Sequence, residues 1–84
     1  MSQTEIEAAV VLDARGLLCP MPIVKTAKAM KELEPGQVLK VMATDRGSLA
    51  DVPAWAKSTG NDLLEQQEDG DTFVFFLRKG EEVQ

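Results

Sequence analysis

The chain of 84 residues predicts a two-layer α/β (α+β) sandwich with the element order β-α-β-α-β-β. Three observations carry this. Two segments repeat apolar residues at helical spacing, two short apolar runs precede them, and Asp69-Gly70 separates two further runs as a hairpin signal. One layer of helices over one sheet lets every element bury an apolar face. A chain of this length is a single small domain, expected over residues 8–80, with flexible ends at 1–7 and 81–84.

The first strand is Ala8 to Asp13, whose Val10-Val11-Leu12 centre reads as buried on at least one face. Arg15-Gly16-Leu17-Leu18 is a connection, and Cys19-Pro20-Met21-Pro22 follows. Ile23, Val24, Ala27, Met30 and Leu33 then recur as one helical stripe, with Lys25, Lys28, Lys31 and Glu32 opposite. Prolines suit a helix start, because first-turn amides have no intrahelical acceptor to lose. Glu34-Pro35-Gly36-Gln37 has the residues of a type II turn and ends the helix.

Val38 to Thr44 is the second strand. Leu39, Val41 and Ala43 share one face; Val38, Lys40, Met42 and Thr44 share the other. After the turn Asp45-Arg46-Gly47-Ser48, Leu49, Val52, Trp55 and Ala56 fall at helical spacing. Ser48 or Asp51 is a candidate cap. Pro53 leaves two alternatives, a helix that starts late or one distorted at the proline. Gly60 ends it. Asp62–Gln67 and Thr72–Lys79 form a hairpin with a type I′ turn, which sets Leu64 against Phe75 and Leu63 against Phe76. Phe73, Phe75 and Leu77 share one face. Val74, Phe76 and Met42 are expected on a sheet face that no helix covers.

Composition removes several function classes. There is no histidine, so Ser-His-Asp and Cys-His nucleophile pairs are excluded. One cysteine and no histidine cannot supply a four-ligand zinc site of the Cys/His type, and no metal or cofactor is expected. One cysteine cannot close an internal disulfide. No run approaches a membrane span, and the first residues lack the basic start of a secretory signal, so a cytoplasmic protein is expected. The net charge of −5 repels phosphate backbones, so direct nucleic-acid binding is not expected. Lys25, Lys28 and Lys31 read either as a solvated helix face or as a docking ridge for an acidic partner.

Cys19 is the one candidate nucleophile. It sits at a strand-to-helix junction, where functional side chains are commonly displayed. The positive end of the following helix favours a thiolate. Arg15, four residues upstream, adds positive charge. Pro20 and Pro22 fix the local backbone and remove two amide donors, which leaves Met21, Ile23 and Val24 as nearby N–H groups. A lone thiol without a base is poorly suited to hydrolysis, and a single cysteine excludes dithiol redox chemistry. Exchange between sulfur atoms remains: a thiolate attacks a sulfane sulfur on another protein and later surrenders it.

Leu12-Asp13-Ala14-Arg15-Gly16-Leu17-Leu18-Cys19-Pro20-Met21-Pro22 resembles the signature of the TusA/SirA sulfur-carrier family, whose core is Cys-Pro-x-Pro. Asp45 through Asp51-Val52-Pro53-Ala54-Trp55 resembles the family's second segment, and Arg78-Lys79-Gly80 its C-terminal ending. The resemblance implies a four-stranded mixed sheet with two helices. It also implies that Cys19 carries sulfur as a persulfide, with a cysteine desulfurase or rhodanese as donor. The sulfur then passes to acceptor proteins of tRNA thiolation, molybdenum-cofactor synthesis or sulfur oxidation. Two departures stand out: Ala56 occupies a position where many members have a second cysteine, and Arg46 one where many have proline.

The supporting positions also have plain readings. Asp13 and Gly16 either shape the connection or, for Asp13, hold the cysteine loop by accepting backbone N–H bonds. Asp45 is a turn former or cap, and Asp51 and Pro53 set the second helix. The function expected is a sulfurtransferase acting as a protein sulfur carrier. The alternative is a regulatory interaction module of the same family that uses the uncovered sheet face.

Overall fold

The computed structural model describes residues 7–18 and 20–80. The expectations for Cys19 and for both chain ends fall on residues outside these, Glu7 excepted. The element order is β1 (Val10–Ala14), α1 (Met21–Lys31), β2 (Val38–Ala43), α2 (Ser48–Thr59), β3 (Asp62–Asp69) and β4 (Thr72–Arg78). The strands form one mixed sheet in the order β1-β2-β4-β3. β1 runs parallel to β2, while β4 is antiparallel to both of its neighbours. This is the two-layer α+β architecture expected from the sequence.

The period-2 pattern of β2 is realised as read. Leu39, Val41 and Ala43 are fully buried, and Val38, Lys40 and Met42 are intermediate. The register aligns Leu39 with Leu77, Val41 with Phe75 and Ala43 with Phe73. Met30 and Leu33, at and just beyond the end of α1, and Val52 and Ala56 of α2 close this same face, so both helices cover one side of the sheet. The molecule measures 35 × 32 × 18 Å, and the short axis is the thickness of the two layers.

Several local expectations change. The buried stripe of α1 is Pro22, Thr26 and Met30, not one that includes Val24, which is exposed. Thr26 is tolerated there because its hydroxyl donates to the Pro22 carbonyl at 2.7 Å, so no polar group is stranded. β1 lies at the sheet edge and leaves Val10 and Val11 exposed, so its burial is thinner than the apolar run suggests.

The hairpin register also differs. Asp69 pairs with Thr72, so the loop residues are Gly70 and Asp71. Gly70 has φ 64° and Asp71 does not, the sign pattern of a type II′ turn. A bulge between Leu63 and Glu65 then shifts the ladder, so Leu63 meets Leu77 and Leu64 stays exposed. Without that bulge, β3 would turn Leu63 away from the core.

α2 starts at Ser48 and continues through Pro53. Neither Ser48 nor Asp51 is its N-cap; the cap position is Gly47, with no side-chain cap bond. The first amides find backbone partners instead. Ser48, Leu49 and Ala50 donate to the carbonyls of Asp45, Arg46 and Gly47 at 3.0–3.2 Å. The opening turn is thus closed from the preceding loop, which makes a side-chain cap unnecessary.

On the sheet face expected to lie uncovered, Val74 is buried at 8% exposure, and Met42 and Phe76 are half-buried. Lys40 lies with its ammonium 5.7 Å from the Phe76 ring centre, so a cation lies over part of that apolar face. No helix among the described residues is long and apolar enough to cross a membrane.

Candidate functional site: the cysteine loop

The site is built where β1 and β2 end side by side. Ala14 aligns with Ala43, so the loops leaving these two parallel strands emerge at the same sheet edge. One loop holds residues 15–20 and leads into α1; the other holds residues 44–47 and leads into α2. Side chains at such strand ends stand outside the sheet, where a second molecule can reach them.

The loop around Cys19 is tied down on both sides of the cysteine. Asp13 grips Arg15: Nε donates to Oδ1 and Nη2 to Oδ2, both at 2.8 Å, and the Arg15 amide donates to Oδ1 at 3.1 Å. The bidentate side-chain bond from Arg15, followed by its backbone bond, lowers the Asp13 pKa to about 2. The same carboxylate raises the pKa of Arg15. Gly16 takes φ 83°, a conformation open to glycine, and its amide donates to Thr44 Oγ1 at 2.8 Å. Leu17 donates back to the Ala14 carbonyl at 3.3 Å.

Past the cysteine, Pro20 occupies the N-cap position of α1 and Pro22 is buried within its first turn. The Met21 amide donates to the Leu18 carbonyl at 2.9 Å, and the Val24 amide to Pro20 at 3.0 Å. Two of the three amides read as neighbours of the sulfur are therefore held by backbone acceptors. The Arg15 guanidinium faces Asp13, so the pair is close to neutral as a unit.

The second segment lies across from this loop. The Asp45 carboxylate accepts from the Gly47 amide at 3.2 Å, which shapes the turn into α2. Asp51 is in the first turn of α2 and Pro53 is half-buried in its body. Thr44, which joins the two segments through Gly16, is the residue that reading the sequence missed. A threonine at a strand end carries no signal until the neighbouring loop is known.

The Arg78-Lys79-Gly80 ending is at the opposite end of the sheet. Arg78 pairs with Asp62 at 2.7 Å, Lys79 donates through Nζ to the Leu33 carbonyl, and Gly80 donates to Asn61 Oδ1 at 2.9 Å. These contacts fasten the last strand and stand apart from the cysteine loop. No cluster of metal-ligating side chains occurs among the described residues.

The family described as Sulfurtransferase TusA matches residues 10–79. The chain belongs to the TusA family. Among relatives of this TusA-family chain, YrkI of Bacillus subtilis is 61% identical over 70 residues, covering 83% of this chain and 93% of YrkI. The sulfur carrier protein TusA of Allochromatium vinosum is 50% identical over 68 residues, covering 81% of this chain and 90% of that protein. The crystal structure of a SirA-like protein from Desulfitobacterium hafniense superposes with a TM-score of 0.75 at 27% identity, covering 84% of this chain and 97% of that one. The family thus agrees with the Cys-Pro-x-Pro reading, and the solved neighbour agrees with the fold.

Proposed function

We propose that the protein is a sulfur carrier that takes sulfane sulfur onto Cys19 from a donor protein and hands it to an acceptor protein. The observation that carries this is the position of Cys19 in the chain. It stands between Leu18 and Pro20, in a loop held by Asp13, Arg15, Gly16 and Thr44, at the start of α1. The name of the Allochromatium vinosum relative supports the same reading.

The chemistry is one exchange run twice. The Cys19 thiolate attacks the terminal sulfur of a persulfide on the donor. A new S–S bond forms, the donor's S–S bond breaks, and the donor cysteine leaves as a thiolate. Delivery reverses the roles: an acceptor thiolate attacks the terminal sulfur on Cys19, and Cys19 leaves. No net oxidation occurs and no cofactor is consumed. The step needs a thiolate and an open approach, not a proton shuttle, which suits a chain without histidine. Pro20 and Pro22 direct the sulfur, and Asp13 with Arg15 and Gly16 keeps the loop in place. Asp45, Asp51 and Pro53 shape the facing loop and helix. A cytoplasmic setting, with thiols kept reduced, fits this chemistry.

Transfer of labelled sulfur tests the reading. The chain is incubated with a cysteine desulfurase and [35S]cysteine, or with a rhodanese and labelled thiosulfate, and then treated with cyanide. Label that binds to the wild type, leaves as thiocyanate and never binds to Cys19→Ser is the expected result. Label that binds equally to Cys19→Ser overturns the assignment of the sulfur to Cys19.

A further inference from the structure

We propose that the Ser48 hydroxyl donates a hydrogen bond to the Cys19 sulfur and favours its ionised form. This deepens the proposed carrier function, on which it rests, by naming a group that supports the reacting thiolate. Ser48 is the first residue of α2 and is fully buried, at 0% exposure. Its hydroxyl has no hydrogen-bond partner among the described residues. A buried hydroxyl without a partner costs stability, so its presence calls for a reason. Two other hydroxyls near this end of the core are engaged. Thr26 donates to the Pro22 carbonyl at 2.7 Å, and Thr44 accepts from the Gly16 amide at 2.8 Å. Ser48 is the one of the three left over.

Placement decides what that hydroxyl can meet. Ser48, Val52 and Ala56 recur every four residues as the buried stripe of α2, and Pro22, Thr26 and Met30 do the same on α1. Both helices cover one sheet face, and both begin at the end of the sheet where β1 and β2 finish at Ala14 and Ala43. Those alanines are fully buried and bring no side-chain acceptor. The Ser48 side chain therefore faces inward at the end of the core that the loop of residues 15–20 closes. That loop is tied to the chain just before Ser48, through Gly16 and Thr44. Within Arg15-Gly16-Leu17-Leu18-Cys19-Pro20, the cysteine holds the only side-chain acceptor. The two ends of the described chain are remote: Ala9 bonds Val38 and Gly80 bonds Asn61 at the opposite end of the sheet. A neutral thiol accepts weakly, so the bond adds little while the sulfur is protonated. A thiolate makes it charge-assisted, and a bond to the charged form lowers the pKa. The chain has no histidine to do this. Charged groups on the surrounding segments are Asp13 and Arg15, which hold each other, Lys25 on α1, and Asp45, Arg46 and Asp51 around the start of α2. Their fields are the same with and without the Ser48 hydroxyl.

The chain has one thiol, so its alkylation by iodoacetamide can be followed across pH by intact mass. Wild type, Ser48→Ala and Ser48→Thr are compared as full chains, and urea unfolding checks that each is folded. Ser48→Ala should raise the midpoint of the pH profile by about one unit, the size expected for losing a hydrogen bond to a charged atom. Its limiting rate at high pH should rise by no more than about 3-fold, because thiolate nucleophilicity follows basicity weakly. Ser48→Thr keeps a hydroxyl and should return the midpoint toward that of the wild type. A role in packing alone would move the unfolding curve and not the midpoint. A Ser48→Ala midpoint equal to that of the wild type overturns the proposal, and is the result if the hydroxyl pairs with a buried water instead. A folded Ser48→Thr that keeps the alanine midpoint overturns it as well. Sulfur uptake from inorganic polysulfide is read on the same samples. A shifted midpoint in a chain that takes up no sulfur supports the Ser48 bond and counts against the carrier function alone.

Discussion

At the residue scale, the cysteine loop depends on a few polar contacts that can each be broken singly. Asp13 accepts three bonds from Arg15, so its proton leaves early, with the pKa held at about 2 against 3.8 for a free side chain. The sign follows: a carboxylate lowered on folding holds the loop fully above pH 3.8, and its grip is lost as pH falls through about 2. Carboxyl NMR should place the Asp13 midpoint near 2, and Arg15→Ala should return it toward 3.8. Thr44 is the second contact. Thr44→Val removes the acceptor for the Gly16 amide, while Thr44→Ser keeps it. Hydrogen exchange at Gly16 should speed up in the valine variant by an amount equivalent to about 0.5–1.5 kcal/mol, and return in the serine variant. Ser48 runs the other way. Its side chain is buried and its hydroxyl has no hydrogen-bond partner among the described residues, so Ser48→Ala should leave stability unchanged or raise it by up to about 1 kcal/mol in urea unfolding.

At the element scale, period and turn chemistry made most of the fold legible. The alternation in β2 and the helical spacing before Glu34-Pro35-Gly36-Gln37 match the strand and helix found, and Gly36 at φ 92° with the Gln37 amide on the Glu34 carbonyl is the expected turn. What the sequence hid depends on tertiary partners. Val24 looks like a core residue by hydropathy, yet Thr26 takes the buried place because the Pro22 carbonyl satisfies it. The bulge at Leu64 has no local signature; it exists because Leu63 must meet Leu77. Pro53 permitted two readings, and the loop carbonyls at 45–47 decide for an early start. Gly80 was read as a family ending and proves to be a packing requirement. A Cβ there would stand 1.9 Å from the Gly60 carbonyl oxygen, a backbone atom that cannot swing aside. Gly80→Ala should therefore force the last strand off Asn61 and lower stability by about 1–3 kcal/mol in urea unfolding, with Gly80→Val worse.

At the scale of the whole molecule, the architecture separates holding from presenting. The helices and the inner sheet face form a continuous core from Met30 through Phe75 to Leu63, and the Arg78-Lys79-Gly80 latch closes the end away from the cysteine. The opposite end carries the two loops and the start of α1, with its apolar and cationic face outward. A domain this small has little room for an enclosed active site, which fits the proposal that its sulfur is exchanged at the surface with other proteins. The central claim is that one sulfur atom at Cys19 is loaded and unloaded. Intact mass spectrometry after incubation with a sulfur donor reads this directly. Wild type should gain ~32 Da per sulfur and lose it with dithiothreitol, while Cys19→Ser stays at its starting mass. A wild type that gains nothing from desulfurase, rhodanese or polysulfide would contradict the account.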